Sequence, residues 1–161
     1  MSETTRILFV CLGNIIRSPL AETLLRHQAE AAGLGDKYEI DSAGTASYHV
    51  GERPDARMRQ VAAKNGVEHD GRARQVRASD FEDFDLILPM DASNLANLKR
   101  VAANEEQAAK LRLMREFDPQ AAGETEVPDP YYGGIDGFDE VFAIVERSTA
   151  ELLRRLEAGE V

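Results

Sequence analysis

The chain contains 161 residues, of which 43% are hydrophobic and 30% are charged, and its formal net charge is −10. This size and composition predict one globular domain over residues 1–161, and the acidic balance argues against nucleic acid as a partner because nucleic-acid affinity comes mainly from basic surface. The only cysteine is Cys11, and the sequence has neither a signal-peptide pattern nor an apolar run of membrane-spanning length. We therefore expect a cytoplasmic protein without disulfide bonds and without membrane association.

The predicted elements alternate between strands and helices along the chain. Residues 6–10 are apolar and partly β-branched, which is typical of a buried parallel strand. The further predicted strands are residues 37–42, 85–88 and 111–114, and the predicted helices are residues 19–32, about 53–64, a helix capped by Asp91, and 138–156. This alternation predicts an α/β fold with a four-stranded parallel sheet flanked by helices on both faces, which binds its ligand at the carboxyl ends of the strands.

The first strand runs directly into the sequence Cys-Leu-Gly-Asn-Ile-Ile-Arg-Ser-Pro at positions 11–19. Ser18 and Pro19 form a typical helix start, a hydroxyl cap followed by proline at the first helical position. Cys11 therefore lies in a loop between a strand and a helix N-terminus, where main-chain N–H groups and the helix dipole favour both a bound phosphate and a thiolate.

Arg17 lies six positions after Cys11, so one curl of the loop brings its guanidinium back over the cavity. There it can hold two phosphoryl oxygens at once. Gly13 and Asn14 tolerate the positive φ that such a curl requires. The simpler interpretation is a small buried cysteine at a strand end. The strand before Cys11, the glycine in the loop and the helix start after it together favour a nucleophile in a phosphate-binding loop instead.

Four blocks of the sequence together carry a family resemblance. They are residues 10–19, Asp-Ser-Ala-Gly-Thr at 41–45, Met-Asp-Ala-Ser-Asn-Leu at 90–95, and Val-Pro-Asp-Pro-Tyr-Tyr at 127–132. Their order and spacing closely resemble low-molecular-weight protein tyrosine phosphatases, from about residue 6 to the last helix. The resemblance implies hydrolysis of phosphotyrosine in proteins, and of small aryl phosphates, through a phosphocysteine intermediate on Cys11 and without a cofactor.

The same resemblance implies roles for individual residues. Arg17 and the loop N–H groups would hold the phosphoryl oxygens, and Asp129 would act as general acid and then as base. Without the cysteine loop, an ordinary Asp-Pro turn residue would be the preferred interpretation of Asp129. Ser18 would hydrogen-bond the Cys11 thiolate. The implied phosphate- and substrate-binding residues are Leu12, Gly13, Asn14, Ile15, Ile16, Ser18, Tyr48, Tyr131 and Tyr132, with Ser42 supporting the loop.

Three positions depart from the family pattern. Ile16 stands where relatives usually have a second cysteine, so the nucleophile has no partner for a protective disulfide. Tyr48 stands where a tryptophan is usual, and Gly71 stands near the position of a histidine that orients Asp129 or Ser18. The three histidines show no metal-ligand spacing, so we predict surface or helix-packing roles and no metal site for His27, His49 and His69.

Three alternative functions differ in the residues that they require. An arsenate reductase of the same fold needs further cysteines, which the chain lacks. A protein-arginine phosphatase has threonine at the position of Ile15. A non-catalytic phosphate-binding module is disfavoured because Cys11, Arg17 and Asp129 are all present. We therefore expect tyrosine-phosphorylated proteins as partners. Because proteins of this fold are often monomers or weak dimers, we also expect a monomer or weak dimer.

Overall fold

The computed structural model describes residues 4–161 and places a three-stranded parallel sheet at their centre. The strands are β1 (Thr5–Cys11), β2 (Tyr38–Gly44) and β3 (Leu86–Pro89), in the order β2-β1-β3. In the register of the sheet, Phe9 lies opposite Ser42 on one side and Leu88 on the other. All three strands therefore end at the same edge, and β1 ends there with Cys11.

Six α-helices and two short 3-10 helices surround the sheet in residues 4–161. The α-helices are α1 (Arg17–Ala31), α2 (Ala56–Lys64), α3 (Asp80–Asp83), α4 (Ala92–Val101), α5 (Glu105–Ala108) and α6 (Ile135–Ala158), and the 3-10 helices are Gly35–Lys37 and Met114–Phe117. Among the helices of this part of the chain, none combines the length and the apolar character that crossing a membrane requires.

Strand β1 is central because both of its faces are apolar. Ile7 and Phe9 point into the larger core with α1, α2 and α6, whereas Leu8 and Val10 point into a smaller core with α3 and α4. All four side chains are completely buried. Burying an aliphatic or aromatic side chain of this size contributes about 1.5–3 kcal/mol, so β1 provides a rigid base for the loop that follows it.

The prediction of a fourth strand at residues 111–114 is wrong. Leu111 makes one isolated parallel bridge to Ile87, and the chain then turns into the 3-10 helix Met114–Phe117. Leu111 packs against the smaller core, but Met114 and Phe117 are fully buried in the larger one. The chain therefore passes from the smaller core at Leu111 to the larger core at Met114 within three residues. Such a crossing does not leave it extended beside β3.

The helix starts differ from two of the sequence predictions. Helix α1 begins at Arg17, and Ser18 makes no capping hydrogen bond because its hydroxyl faces Cys11 instead. Helix α2 begins at Ala56 after the cap Asp55, which accepts the Arg57 N–H at 2.8 Å. The prediction that Asp91 caps a helix is confirmed: its carboxylate accepts the Asn94 N–H at 2.8 Å at the start of α4.

Candidate active site

The loop between β1 and α1 is braced from outside by the end of β2. The main-chain N–H groups of Thr45 and Ala46 donate to the carbonyls of Cys11 and Leu12, at 2.9 and 3.0 Å. Gly44 permits this close approach, because a Cβ there would lie 2.7 Å from the Leu12 carbonyl oxygen. With these carbonyls paired on the outside, the loop can turn N–H groups toward its centre.

The inner side of the loop is a nest of main-chain N–H groups. The N–H of Asn14 donates to the Cys11 sulfur at 3.3 Å. The N–H groups of residues 12, 13 and 15–18 have no acceptor within residues 4–161. Unpaired N–H groups at a helix N-terminus suit a bound anion, and Cys11 Sγ lies in the same loop, 2.9 Å from the Ser18 hydroxyl oxygen.

Asn14 holds the curl of the loop together. Its φ of 58° is in the left-handed region, which is unfavourable for residues other than glycine but tolerated by asparagine. Its side-chain Nδ2 donates to the hydroxyls of Ser18 and Ser42, at 2.9 and 3.0 Å. Its side-chain Oδ1 accepts the Arg74 main-chain N–H at 2.9 Å. Ser42 donates in turn to Glu22 at 2.6 Å. These bonds anchor the loop to β2 and to α1.

Arg17 is buried, with only 3% of its surface exposed. Its Nη1 donates to a carboxylate oxygen of Asp91 at 2.8 Å and to the Val127 carbonyl at 2.9 Å. Its Nη2 lies 3.6 Å from a carboxylate oxygen of Asp129. The guanidinium is thus fixed on one side by Asp91 and meets Asp129 on the other.

The segment of residues 127–132, here called the acid loop, carries Asp129 to the cavity. Its first residue is anchored, since the Val127 N–H donates to the Met90 carbonyl at 2.8 Å. The Asp129 side chain is 41% exposed, and its carboxylate accepts the Tyr131 N–H at 3.1 Å. Asp129 therefore faces a solvent-accessible space above Cys11.

This space is a cavity of about 260 Å³. It brings together most of the side chains that the sequence singles out, namely Cys11, Leu12, Gly13, Ile15, Ile16, Arg17, Tyr48, Asp129, Tyr131 and Tyr132. Asn14, Ser18 and Ser42 do not line the cavity and instead lie behind the loop, in the hydrogen-bond network described above. A buried sulfur, a fixed guanidinium and a carboxyl group facing one cavity suit phosphoryl transfer to sulfur.

Comparison with known proteins agrees with this geometry. A family model described as low molecular weight phosphotyrosine protein phosphatase matches residues 6–160. The chain belongs to this family. A low molecular weight protein-tyrosine-phosphatase of Streptomyces coelicolor is 49% identical over 151 residues, which cover 93% of this chain and 92% of the relative.

Solved structures show the same phosphatase fold. The crystal structure of a protein tyrosine phosphatase from Entamoeba histolytica matches with a TM-score of 0.93 at 42% identity, covering 98% of this chain and 100% of the other. A Drosophila arginine phosphatase matches with a TM-score of 0.86 at 33% identity, covering 94% and 97% of the two chains.

Sequence reasoning missed His49 as part of this phosphatase's cavity. Its ring lies 6.3 Å from that of Tyr131, and its Nδ1 lies 2.9 Å from a carboxylate oxygen of Glu52. A Cβ on Gly13 would come within 2.9 Å of the His49 ring. The only signal in the sequence was the position of His49 next to Tyr48, because the contacts that bring it to the cavity, with Gly13 and Tyr131, are with distant segments.

Gly71 stands near the position for which the family resemblance implies a histidine. It lies in an exposed irregular segment with a φ of 136°, and a Cβ added there would meet no atom within 4 Å. His69, two residues earlier, is buried and its Nδ1 lies 2.8 Å from the Thr23 hydroxyl. Burial lowers the pKa of His69 to about 4, so its neutral imidazole packs against α1. His27 is exposed on the same helix.

The described residues 4–161 hold no group of three or more potential metal-ligating side chains.

Proposed function

We propose that this phosphatase hydrolyses phosphotyrosine in proteins, and small aryl phosphates, with Cys11 as nucleophile, Arg17 as phosphate clamp and Asp129 as general acid and base. The observation that carries the proposal is that these three side chains face one cavity whose floor is a nest of N–H groups. The activity therefore needs no metal or cofactor to neutralise the phosphate, because the guanidinium and the main-chain donors do so.

In the first step the Cys11 sulfur attacks phosphorus in line. A sulfur–phosphorus bond forms while the bond between phosphorus and the tyrosine oxygen breaks, and Asp129 gives its proton to the departing phenolate. Arg17 and the loop N–H groups hold the three other phosphoryl oxygens as their charge redistributes. The products of this step are a free tyrosine side chain and a phosphocysteine.

In the second step water hydrolyses the phosphocysteine. Asp129, now ionised, accepts a proton from the attacking water, and the sulfur–phosphorus bond breaks to release inorganic phosphate. The Ser18 hydroxyl, 2.9 Å from Cys11 Sγ, is placed to donate a hydrogen bond to the departing thiolate. This contact lowers the cost of leaving a charged sulfur in a buried position.

The walls of the cavity favour an aromatic phosphate ester. Leu12 is 40% exposed and Tyr131 is 36% exposed, so apolar surface borders the entrance above the phosphate loop. The rings of Tyr131 and Tyr132 lie 4.9 Å apart in an edge-to-face arrangement. An aryl ring can stack against such side chains while its phosphate reaches Cys11.

Protein-arginine phosphatase activity is the second candidate, because a Drosophila arginine phosphatase shares the fold at 33% identity. The residue against it is Ile15, which is buried at the cavity and offers no hydroxyl to a guanidinium. The third candidate is arsenate reduction, which needs a second cysteine to carry the oxidation onward. The chain has only one cysteine.

The proposal is tested by assaying 4-nitrophenyl phosphate, a phosphotyrosyl peptide and a phosphoarginyl peptide in the presence of a chelator. We expect hydrolysis of the first two, abolished in Cys11→Ser and about 10²–10⁴-fold slower in Asp129→Ala for the peptide. Because Asp129 acts first in its protonated form, activity should be highest at acidic pH. An inactive wild-type protein or an active Cys11→Ser would contradict the mechanism, and a preference for phosphoarginine would favour the second candidate.

We further propose that residues 1–161 act as one domain, as a monomer or weak dimer, on tyrosine-phosphorylated proteins rather than on nucleic acid. The cytoplasmic location stays a prediction.

A further inference from the structure

Arg57, in the first turn of α2, contacts the acid loop from outside the cavity. Its Nη1 donates to the Tyr131 carbonyl at 3.0 Å, and its guanidinium carbon lies 5.4 Å from the centre of the Tyr131 ring. The same guanidinium carbon lies 4.5 Å from the centre of the Phe138 ring, in the first turns of α6. Arg57 therefore fills the space between α2, the acid loop and α6.

The other side of Arg57 is fixed to the phosphate-binding loop by way of Asp55. Its Nε and Nη2 donate to the two carboxylate oxygens of Asp55, at 3.1 and 2.8 Å. The Asp55 main-chain N–H donates in turn to the Ile15 carbonyl at 2.7 Å. A paired guanidinium and carboxylate have a well-defined relative geometry, so Tyr131 is positioned relative to the loop that carries Cys11.

Apart from the Arg17 guanidinium, whose Nη2 lies 3.6 Å from the Asp129 carboxylate, the acid loop has few other attachments. Its upstream end is held at Val127 by Met90 and Arg17. From residue 128 to residue 134, the bond from Arg57 is the only hydrogen bond in the described chain that reaches an element outside the loop and the adjoining start of α6. The Tyr131 N–H donates to the Asp129 carboxylate at 3.1 Å. Fixing Tyr131 thus fixes one Asp129 oxygen, while Arg17 lies 3.6 Å from the other.

We propose that Arg57 is a positioning residue for the general acid. It holds Tyr131 in place, and through Tyr131 it holds the Asp129 carboxyl over the oxygen that leaves from phosphorus. The inference rests on the proposed function, since it concerns the step in which Asp129 gives up its proton. Arg57 itself does not line the cavity.

A misplaced acid has a kinetic signature that a damaged phosphate site lacks. Aryl phosphates with poor leaving groups need the proton from Asp129, whereas 4-nitrophenolate leaves readily without it. In Arg57→Met we expect kcat/KM to fall about tenfold for phenyl phosphate and by less than about twofold for 4-nitrophenyl phosphate. The inhibition constant of inorganic phosphate should stay unchanged, because the loop and Arg17 are intact. Arg57→Lys, which keeps the charge, should restore part of the loss.

Arg59→Met is the matched control. Arg59 lies on the same helix, and its Nε donates to the Pro54 carbonyl at 3.0 Å rather than to the acid loop. We expect it to leave both kcat/KM values and their ratio unchanged. A second control places Arg57→Met in an Asp129→Ala background, where it should cause no further selective loss for phenyl phosphate because there is no acid left to position.

The outcomes separate this inference from the proposed function. An equal loss for both substrates, or the same selective loss in the Asp129→Ala background, would overturn the role of Arg57 while leaving the phosphatase activity established. A wild-type protein without aryl phosphatase activity would overturn the proposed function first. If Arg57→Met does not fold, as judged by thermal unfolding, the same comparison is made with Arg57→Lys. A smaller selective loss for phenyl phosphate is expected there, because one ammonium cannot pair with both Asp55 oxygens and still reach Tyr131.

Discussion

The Arg17 guanidinium lies 2.8 Å from the Asp91 carboxylate, and this pair joins the first turn of α1 to the cap of α4 at the carboxyl edge of the sheet. One Asp91 oxygen accepts the Asn94 N–H at 2.8 Å, and the other accepts from Arg17. A single carboxylate therefore caps a helix and aims the group that holds phosphate. A fixed guanidinium has little freedom to lose when the ligand arrives.

Replacing Asp91 by asparagine should separate these two roles. Asparagine is as good a helix cap as aspartate, but it removes the charge that holds Arg17. We expect Asp91→Asn to keep the thermal unfolding temperature close to that of the wild type and to lower kcat/KM for 4-nitrophenyl phosphate about 10–100-fold. Asp91→Ala should show the same kinetic loss together with about 1 kcal/mol of lost stability from the missing cap. Full activity of Asp91→Asn would show that Arg17 is positioned without this pair.

Asn14 should contribute to both stability and catalysis. Asn14→Ala loses three side-chain hydrogen bonds and keeps a backbone conformation that is unfavourable for alanine. At about 1 kcal/mol per bond, we expect about 3 kcal/mol of lost stability in urea unfolding, together with at least a tenfold loss of kcat/KM. Asn14→Gly should be about 1 kcal/mol more stable than Asn14→Ala, because glycine relieves the strain, yet equally slow.

Ala122 provides the control for the Asn14 variants. It is the other residue besides glycine with positive φ in the described chain, at 52°, and it lies in an exposed turn. Ala122→Gly should leave activity unchanged and not destabilise the protein. If Asn14→Gly were as active as the wild type, the side-chain network would not be needed for catalysis.

The parts of this phosphatase that the sequence predicts are those determined by local patterns. The apolar run of β1 and the spacing from Cys11 to Arg17 are short-range features, and both place the loop at the carboxyl edge of the sheet. The long amphipathic pattern of α6 is also local, and the observed helix extends beyond the predicted 138–156 by only a few residues at each end.

The features that the sequence did not predict depend on contacts between distant segments. Residues 111–114 have a strand-like composition, but burial of Phe117 in the larger core turns the chain away from β3. The bonds from Arg17 to Asp91 and from Arg57 to Tyr131 each join residues 74 positions apart. No spacing rule connects such pairs, because the fold alone decides which side chains meet at the site.

The lone nucleophile should make this phosphatase sensitive to irreversible oxidation. Cys11 is the only cysteine, and Ile16 stands where the family resemblance implies a second cysteine. Oxidised Cys11 cannot be trapped as an internal disulfide, so excess peroxide should carry it to the sulfinic or sulfonic acid, which thiols do not reduce. We expect hydrogen peroxide to abolish activity and dithiothreitol to restore little of it, with the oxidised sulfur identified by mass spectrometry.

Ile16→Cys is the comparison for this oxidation experiment. The introduced thiol should allow a disulfide with Cys11, so that dithiothreitol restores more activity after the same peroxide treatment. Full recovery of the wild-type protein with dithiothreitol would contradict the prediction.

His69 should make stability depend on pH below neutrality. It is 5% exposed, and its Nε2 has no hydrogen-bond partner within residues 4–161. Burial, assisted by the nearby Arg59 charge and opposed by Asp70, lowers its pKa from 6.5 to about 4. At a pH between 6.5 and about 4, His69 is protonated in the unfolded chain but not in the folded one. The stability that comes with a neutral His69 is therefore complete above pH 6.5 and is lost as the pH falls toward 4. Its full magnitude is about 3 kcal/mol.

Urea unfolding of the wild type and of His69→Gln at several pH values measures this contribution. Glutamine does not titrate, so the difference in unfolding free energy between the two proteins should shift against the wild type by more than about 1 kcal/mol as the pH falls from 7 to 5. His27→Gln is the matched control, because His27 is an exposed histidine on α1, and its unfolding free energy should follow that of the wild type at every pH. Parallel curves for the wild type and His69→Gln would show that His69 takes up its proton without a cost to the fold.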